Sequence, residues 1–394
     1  MIIVCEPNCT GQEHASVNVA LLAMIASAYP EAEIRFLAEK EHLWQVANIA
    51  KQQTGNNINY EEIRVAPRHA PDIKRFIPDL LAIKKIFDYA GRNDVDKILF
   101  TSALSPGLIA IKLWQLFYRR INCLAIVHGP IESIDKLPRR WWLVYPLLFW
   151  FRPALLAANN ERLNYLVLGD FIKEALTRKF PQLKGYLRSI DLPYFYEAPD
   201  NYQPFIDKVV RFASFGVGNS AKGTPQYFKL ADDLRRAGTK YNMTEFYLLG
   251  PLVVNSLRQV VADNVIIPSA DKPLSKEQFL AHARGVDYAV YLYDRAHYKY
   301  SSSGALFDAF SHLKPIIALK APVFEYYFKQ MGEIGYLCDT YDEMYNIIID
   351  IAAKKPLESY RRQRENLLNG RRQLSVPVLG RKFAKIWEDD DGKV

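Results

Sequence analysis

The sequence predicts an α/β protein built from two successive parallel-sheet domains. Three observations carry this prediction. Short β-like runs alternate with helical patterns along the chain, the rhythm that buries a parallel sheet between layers of helices. The rhythm restarts after about residue 200, behind the Pro- and aromatic-rich stretch DLPYFYEAPDNYQPF (Asp191–Phe205). The chain has 394 residues, more than one ordinary core holds. The domains are therefore placed at 1–195 and 205–374, with a C-terminal helix over about 375–394 returning to the first.

In the first domain, strands are read at Ile2–Cys5, Glu33–Leu37, Lys97–Thr101, Cys123–His128 and Ala154–Ala158. Between them ASVNVALLAMIASAY, EKEHLWQVANIAKQQ, IPDLLAIKKIFDYAG and PGLIAIKLWQLFYRR carry apolar residues near helical spacing. In the second domain, KVVRFASFG, TEFYLLG, VDYAVYLYD and PIIAL read as strands. KGTPQYFKLADDLRRAG reads as a helix stopping near Gly238, and SKEQFLAHARG as one capped by Ser275 and ended by Gly285. YDEMYNIIIDIAAKK and LESYRRQRENLLNGRR close the domain as helices. Ligands of open α/β sheets bind outside the carboxyl ends of the strands, so two such sheets predict a cleft with one ligand site per wall.

Composition narrows the class. Hydrophobic residues make up 49% and charged residues 24%, as in an ordinary globular protein, with no low-complexity tract or internal repeat. Cys5, Cys9, Cys123 and Cys338 are too few for a disulfide framework. The C-x3-C pair at Cys5 and Cys9 lacks a second ligand pair, so neither a structural zinc nor an oxidising compartment is expected. The start MIIVCEPN lacks the basic end and long apolar core of a signal peptide, and a cytoplasmic location is expected. A net charge of +8 suits an anionic partner, although many soluble proteins carry such an excess without consequence. No nucleic-acid-binding module is recognisable, and none is expected.

Two segments of the second domain point to anion binding. In FASFGVGNSAKGTPQYF a strand ends at Phe215, Gly216 and Gly218 make a flexible turn, and Lys222-Gly223 leads into a helix. Thr224 is a candidate N-cap, with Pro225 at the first helical position. Such a turn offers backbone N–H groups, a positive dipole end and a lysine to a phosphate. A solvent-exposed βα turn has the same look. In YKYSSSGALFDAFSHLKPIIAL a second helix opens behind Ser301, Ser302, Ser303 and Gly304, again at a strand's carboxyl end. Asp308 sits one turn in, where a carboxylate can accept hydrogen bonds from paired hydroxyls. An ordinary serine cap with an acid in the next turn is the plainer reading of that segment.

These residues resemble the nucleotide-sugar-binding domain of GT-B glycosyltransferases, above all the retaining, family-4-like group of bacterial polysaccharide and lipopolysaccharide enzymes. The resemblance implies two Rossmann-like domains facing a central cleft. In that family a G…KG turn holds the donor's phosphates, here Gly216, Gly218 and Lys222-Gly223. A later helix carries an E-x7-E pattern, whose second acid matches Asp308 as a ribose contact, with Lys314-Pro315 at the family's Lys-Pro. Ser301, Ser302, Ser303 and Gly304 then face the diphosphate. The family's first glutamate falls on Tyr300, a departure that leaves the donor sugar and the stereochemical outcome undetermined. The nearby Asp294 is a candidate substitute. In the first domain, His128 in LAIVHGPIE matches the histidine that faces the transferred sugar. Gly11, Gln12, Glu13 and His14 match the acceptor-side loop, with Glu13 or His14 as acceptor contacts. A strand-end or first-turn residue without a role would look the same.

The resemblance further implies a nucleotide-sugar as donor and a saccharide or lipid-linked acceptor. With no Asp-x-Asp motif, no metal or other cofactor is expected. KLPRRWWLVYPLLFWFRP (Lys136–Pro153) is an uncharged aromatic run flanked by arginines and a lysine. It is shorter than the about 20 residues that span a bilayer, and it suits peripheral contact with the inner face of a membrane. A buried aromatic helix is the competing reading. Two other functions share the architecture: a nucleotide-sugar epimerase or hydrolase, and a non-catalytic nucleotide-sugar-binding protein.

Overall fold

A computed structural model describes the chain apart from residues 52, 54–57, 67–69, 71, 136–149, 198–203, 206–208, 238–242, 254–263, 297 and 392–394. The central run of the aromatic segment expected at a membrane, 136–149, thus lies outside the described residues. The chain forms two compact units: Met1–Tyr194 together with Leu374–Val394, and Phe195–Gln373.

The first unit holds a seven-stranded sheet in the order β3-β2-β1-β4-β5-β6-β7. Its strands are β1 (Ile2–Cys5), β2 (Ile34–Ala38), β3 (Ile58–Glu62), β4 (Lys97–Phe100), β5 (Asn122–Ile126), β6 (Leu163–Val167) and β7 (Leu187–Ser189). All neighbours pair in parallel. The inner strands IIVC and LNYLV are buried along their whole length, as strands covered on both faces must be. The helices are α1 (Ala15–Ala28), α2 (Lys40–Ala50), α3 (Asp72–Arg92), α4 (Ser105–Gln115), α5 (Phe151–Leu156) and α6 (Asp170–Lys179). The second unit holds β8 (Val210–Phe215), β9 (Thr244–Leu249), β10 (Val265–Ile266), β11 (Tyr288–Tyr291), β12 (Ile316–Leu319) and β13 (Gly335–Cys338). They form a six-stranded parallel sheet in the order β10-β9-β8-β11-β12-β13. Its helices are α7 (Thr224–Arg236), α8 (Lys276–Gly285), α9 (Gly304–Ser311), α10 (Pro322–Met331), α11 (Tyr341–Lys354) and α12 (Leu357–Gln373).

The last helix, α13 (Val376–Asp391), belongs to the first unit and packs on α1. Gly380 lets the two backbones approach, since a Cβ there would lie 3.0 Å from Met24 O. Trp387 is buried edge-on to Tyr29 at 6.3 Å.

Two expectations fail. Ala154–Ala158 is not a strand: residues 151–156 form α5, and the strand follows at Leu163–Val167. Short apolar runs fit either element by periodicity alone. Here the helix is fixed from outside, because the buried Lys112 Nζ donates to Ala154 O (2.6 Å), Leu155 O (3.2 Å) and Ala157 O at its carboxyl end. Nor is Thr224 the N-cap of α7; that place is taken by Gly223. The Ser275 cap of α8 is present as a full capping box with Gln278.

In each sheet the strand order reverses once, between β1 and β4 and between β8 and β11. A crevice opens at the carboxyl ends of such strand pairs. The chain leaving β1 is Glu6–His14, and the chains leaving β8 and β11 are Gly216–Gly223 and Leu292–Ser303. Most residues singled out by sequence lie in these chains, whereas His128 follows β5 and Asp308 lies in α9.

Candidate functional site

In the second unit the turn after β8 is built around Lys222. Lys222 N donates to Asn219 Oδ1 at 2.9 Å, Gly223 N to Ser220 O at 3.0 Å, and Thr224 N to Asn219 O at 3.2 Å. Gly223 has φ +71°, and a Cβ there would fall 1.9 Å from Leu292 O, so the turn is locked against the end of β11. Asp294 N donates to Ala221 O at 2.9 Å across the same junction. Gly216 has φ +79°, and its missing Cβ leaves room for the Lys222 ammonium (2.9 Å) and for Ala305 Cβ (3.3 Å). That one glycine brings the lysine turn and the start of α9 together.

The opening of α9 is held by tyrosines of β11 and the loop after it. Tyr291 OH donates to Ala305 O at 2.6 Å, and Tyr293 OH bonds Ser303 Oγ at 2.8 Å. Tyr293 stacks on Tyr298 at 4.2 Å, and burial pushes its phenol far above the ordinary value. Ser303 is a non-glycine residue at φ +54°, a conformation worth about 1–3 kcal/mol of strain. Ser302 and Ser303 are buried, Ser301 is half-buried, and Gly304 is exposed with open space where a Cβ would stand. The helix therefore presents its first backbone, not a row of hydroxyls, to the outside.

Lys222 carries the electrostatics. Desolvation lowers its pKa, and the Asp308 carboxylate acts in the opposite direction. The half-buried Asp308 acts on Tyr293 as well, which places it on the same side of α9. A desolvated ammonium facing a helix N-terminus, with one carboxylate in its field, is set up for a second anion.

Gly216, Lys222, Ser303, Gly304 and Asp308 are thus brought together. Gly218 serves differently: its N–H is committed to Pro251 O at 2.8 Å, and a Cβ would strike Leu252 and Leu248. Tyr300, at the position of the family acid, is 2% exposed and belongs to the core of its unit. Asp294 is exposed, with its carboxylate capping Ala296 N at 2.8 Å. The sequence reading gave no role to Tyr291, Tyr293 or Asn219, which fix the site from behind; only their position at or after strand ends gave a signal.

In the first unit the loop after β1 is bolted down. The fully buried Glu6 accepts from Asn8 N (2.9 Å), Cys9 N (3.0 Å), Thr101 Oγ1 (2.9 Å), Asn18 Nδ2 (3.3 Å) and Ser102 Oγ. Burial would raise its pKa, but these hydrogen bonds outweigh it and hold the carboxylate below its ordinary value. Buried His42 bonds Asn18 Nδ2 at 2.8 Å and Gly11 O at 2.8 Å. The amide nitrogen can only donate, so His42 Nε2 accepts and Nδ1–H points at Gly11 O. Gln12 is exposed, and Glu13 is half-exposed in a turn closed by its N–H to Thr10 O at 3.3 Å. His128, after β5, lies against His14 with Nε2 and Nδ1 3.0 Å apart.

Among the described residues no three His, Cys, Asp or Glu side chains converge as metal ligands, and no helix is long and apolar enough to cross a membrane. Asp232 and Asp233 pair with Arg235 and Lys229 on α7.

No protein-family model and no curated protein sequence matches the chain. Solved structures do. HepE of Anabaena, solved in complex with UDP, superposes with a TM-score of 0.66 at 13% identity, over 99% of this chain and 100% of that one. An α,α-trehalose-phosphate synthase (UDP-forming) of Burkholderia xenovorans, in complex with glucose-6-phosphate, gives 0.63 at 10% identity over the full length of both. WaaG, a glycosyltransferase involved in lipopolysaccharide biosynthesis, gives 0.59 at 11% identity, over 98% of this chain and 99% of that one. The chain has the GT-B fold. Within a GT-B protein, β8 with its lysine turn and β11 with the α9 start belong to the second Rossmann-like unit, and the Glu6–His14 loop and His128 to the first.

Proposed function

We propose that the chain is a glycosyltransferase that takes its sugar from a nucleotide-sugar donor. The observation that carries this is the meeting of the Lys222 ammonium with the start of α9 at Gly216. A desolvated lysine and a helix N-terminus converging at a strand-order reversal suit the diphosphate of a nucleoside diphosphate. The GT-B fold, shared with HepE solved with UDP and with UDP-glucose, supports the same reading. As the sugar–phosphate bond breaks, negative charge grows on the leaving diphosphate. Lys222 and the first N–H groups of α9 stand ready to stabilise it, so no metal is required for that task. Asp308 holds the ribose. Thermal-shift and calorimetric titration with UDP, GDP, ADP and their sugars tests this. At least one should stabilise the protein, and Lys222→Ala should remove that stabilisation.

The acceptor is a saccharide, lipid-linked and met at an anionic membrane surface. α3, α4 and the turn after α4 support this with large exposed apolar side chains: Ile77 (57% exposed), Leu81, Leu113, Leu116 and Phe117 (75%). Trp114 ties the two helices together, donating to Leu80 O at 2.8 Å under Lys84, which lies 5.5 Å from its ring. Lys74, Lys85, Arg92, Arg119 and Arg120 on the same helices and the turn after α4 are exposed. Apolar side chains ringed by cations suit the headgroup boundary. Co-sedimentation with phosphatidylglycerol vesicles should be lost in Leu116→Ser/Phe117→Ser, and should be absent with phosphatidylcholine. Equal binding of the double variant would remove this surface from the account.

A second reading rests on Tyr300. A buried aromatic residue where the family has an acid fits a protein that binds a nucleotide-sugar without turning it over. Release of UDP from UDP-sugar in the presence of acceptor extract separates the two.

A further inference from the structure

His128 presents no free ring nitrogen. Its Nε2 faces His14 Nδ1 at 3.0 Å, and its Nδ1 is shielded from water with no hydrogen-bond partner among the described residues. His14 is the reverse case: it is exposed, its Nδ1 is turned inward to His128, and no described residue engages its Nε2. The two rings stack at 4.9 Å with an interplanar angle of 30°. A substrate group approaching this wall of the first unit therefore meets His14 before His128.

We propose that His14 contacts a substrate hydroxyl through Nε2, and that His128 is a positioning residue behind it, fixing the His14 ring by the imidazole–imidazole hydrogen bond. The contact half of this proposal rests on the glycosyl-transfer reading; the pairing half does not.

Two imidazoles at hydrogen-bond distance share one proton between them, since one must donate and the other accept. The pair is thus neutral or singly charged. Desolvation lowers His128 to about 4, with the neighbouring His14 adding to the effect and Glu6 opposing it. His14 and Glu6 are the charged groups acting on His128, and Glu13 precedes His14 in the same turn. When His14 Nδ1–H donates to His128 Nε2, the His14 Nε2 lone pair is open to a hydroxyl donor.

The surroundings keep His14 in place. It sits at φ +55° as the N-cap residue of α1, without a side-chain cap. A non-glycine residue holds this conformation only when neighbours impose it. They are the Glu6 cluster, which grips Asn8 and Cys9, and His42, which grips Gly11.

The test uses the full chain with 15N-labelled histidine, followed by long-range proton–nitrogen spectra from about pH 5 to 9. His128 should stay neutral throughout, protonated on Nδ1, and neutral His14 should be protonated on its own Nδ1, the nitrogen facing His128. His128→Ala should release the His14 ring, so that its neutral form becomes a mixture of tautomers, and His128→Gln, whose amide oxygen can accept from His14 Nδ1–H, should restore part of the single Nδ1–H form. The same mixture of neutral His14 tautomers in the wild type and in His128→Ala, or a His128 protonated within this range, would overturn the pairing. For the contact role, UDP release from UDP-glucose should fall at least about tenfold in His14→Ala with the UDP-induced thermal shift retained. Unchanged turnover would overturn that half. If UDP does not bind the wild-type chain, the donor reading fails, and the spectra still decide the pairing.

Discussion

Replacing Gly223 by alanine should disable nucleotide binding through the backbone of the lysine turn. Gly223 caps α7 at φ +71° and ψ +25°, and an alanine Cβ would lie 1.9 Å from Leu292 O and 2.7 Å from its carbonyl carbon. Two effects add. The left-handed conformation costs an alanine about 1–2 kcal/mol. The Cβ also intrudes by about 1.5 Å into a backbone carbonyl, where no rotamer change gives relief. Together they predict about 2–4 kcal/mol of destabilisation of the second unit. Any relaxation moves Lys222 away from Gly216 and Ala305. Losing a charge-assisted bond to phosphate, about 1.5–3 kcal/mol, corresponds to a roughly 10- to 100-fold rise in Kd. All six tryptophans lie in the first unit, so unfolding should be followed by far-ultraviolet circular dichroism, with UDP affinity from calorimetry. Gly285→Ala is the control: it ends α8 with nothing within 4 Å of the added carbon, and should be neutral or stabilising by about 0.5 kcal/mol. A Gly223→Ala protein with wild-type midpoint and affinity would refute the reasoning.

Glu6→Gln replaces an acceptor of five hydrogen bonds by a group that must turn a donor toward other donors, and should destabilise the first unit by about 2–4 kcal/mol at pH 7, read by tryptophan fluorescence in urea. Because the folded Glu6 pKa is depressed, its stabilisation is complete above the ordinary glutamate value of about 4.3 and is lost as pH falls through the folded value. The wild-type chain should lose stability below about pH 4, and the variant should lack that contribution. Tyr300→Glu restores the family acid in sequence but buries a carboxylate at a site 2% exposed, and should lower the unfolding midpoint by the equivalent of about 3 kcal/mol without raising turnover. Increased UDP release by that variant would show that position 300 reaches the substrate.

The sheets were legible where burial on both faces makes a strand continuously apolar, as in IIVC and IIAL. β3, INYEE, escaped because it lies at a sheet edge with three of its five residues exposed, and its pattern is that of a loop. Ala154–Ala158 misled because Lys112, more than 40 residues earlier, fixes that run as a helix. At the donor site, Lys222, Gly216 and the start of α9 could be read from position alone, since each follows a strand end. The behaviour of Ser303 could not: its hydroxyl is taken by Tyr293. Glu6 stood at a strand end like many acids, and only the approach of Thr101 and Ser102, some 95 residues later, makes it a structural centre. The meeting of the exposed His14 with the half-buried His128 depends on the packing of two loops 114 residues apart.

The most direct measurement of the central claim is calorimetric titration of UDP into the wild-type chain and Lys222→Met. The account predicts saturable 1:1 binding to the wild type. It predicts binding about 10- to 100-fold weaker to the variant, whose unfolding midpoint stays within experimental error, because Lys222 is a desolvated cation and not a packing residue. Equal affinities, or no binding by the wild type to any nucleoside diphosphate, would contradict it.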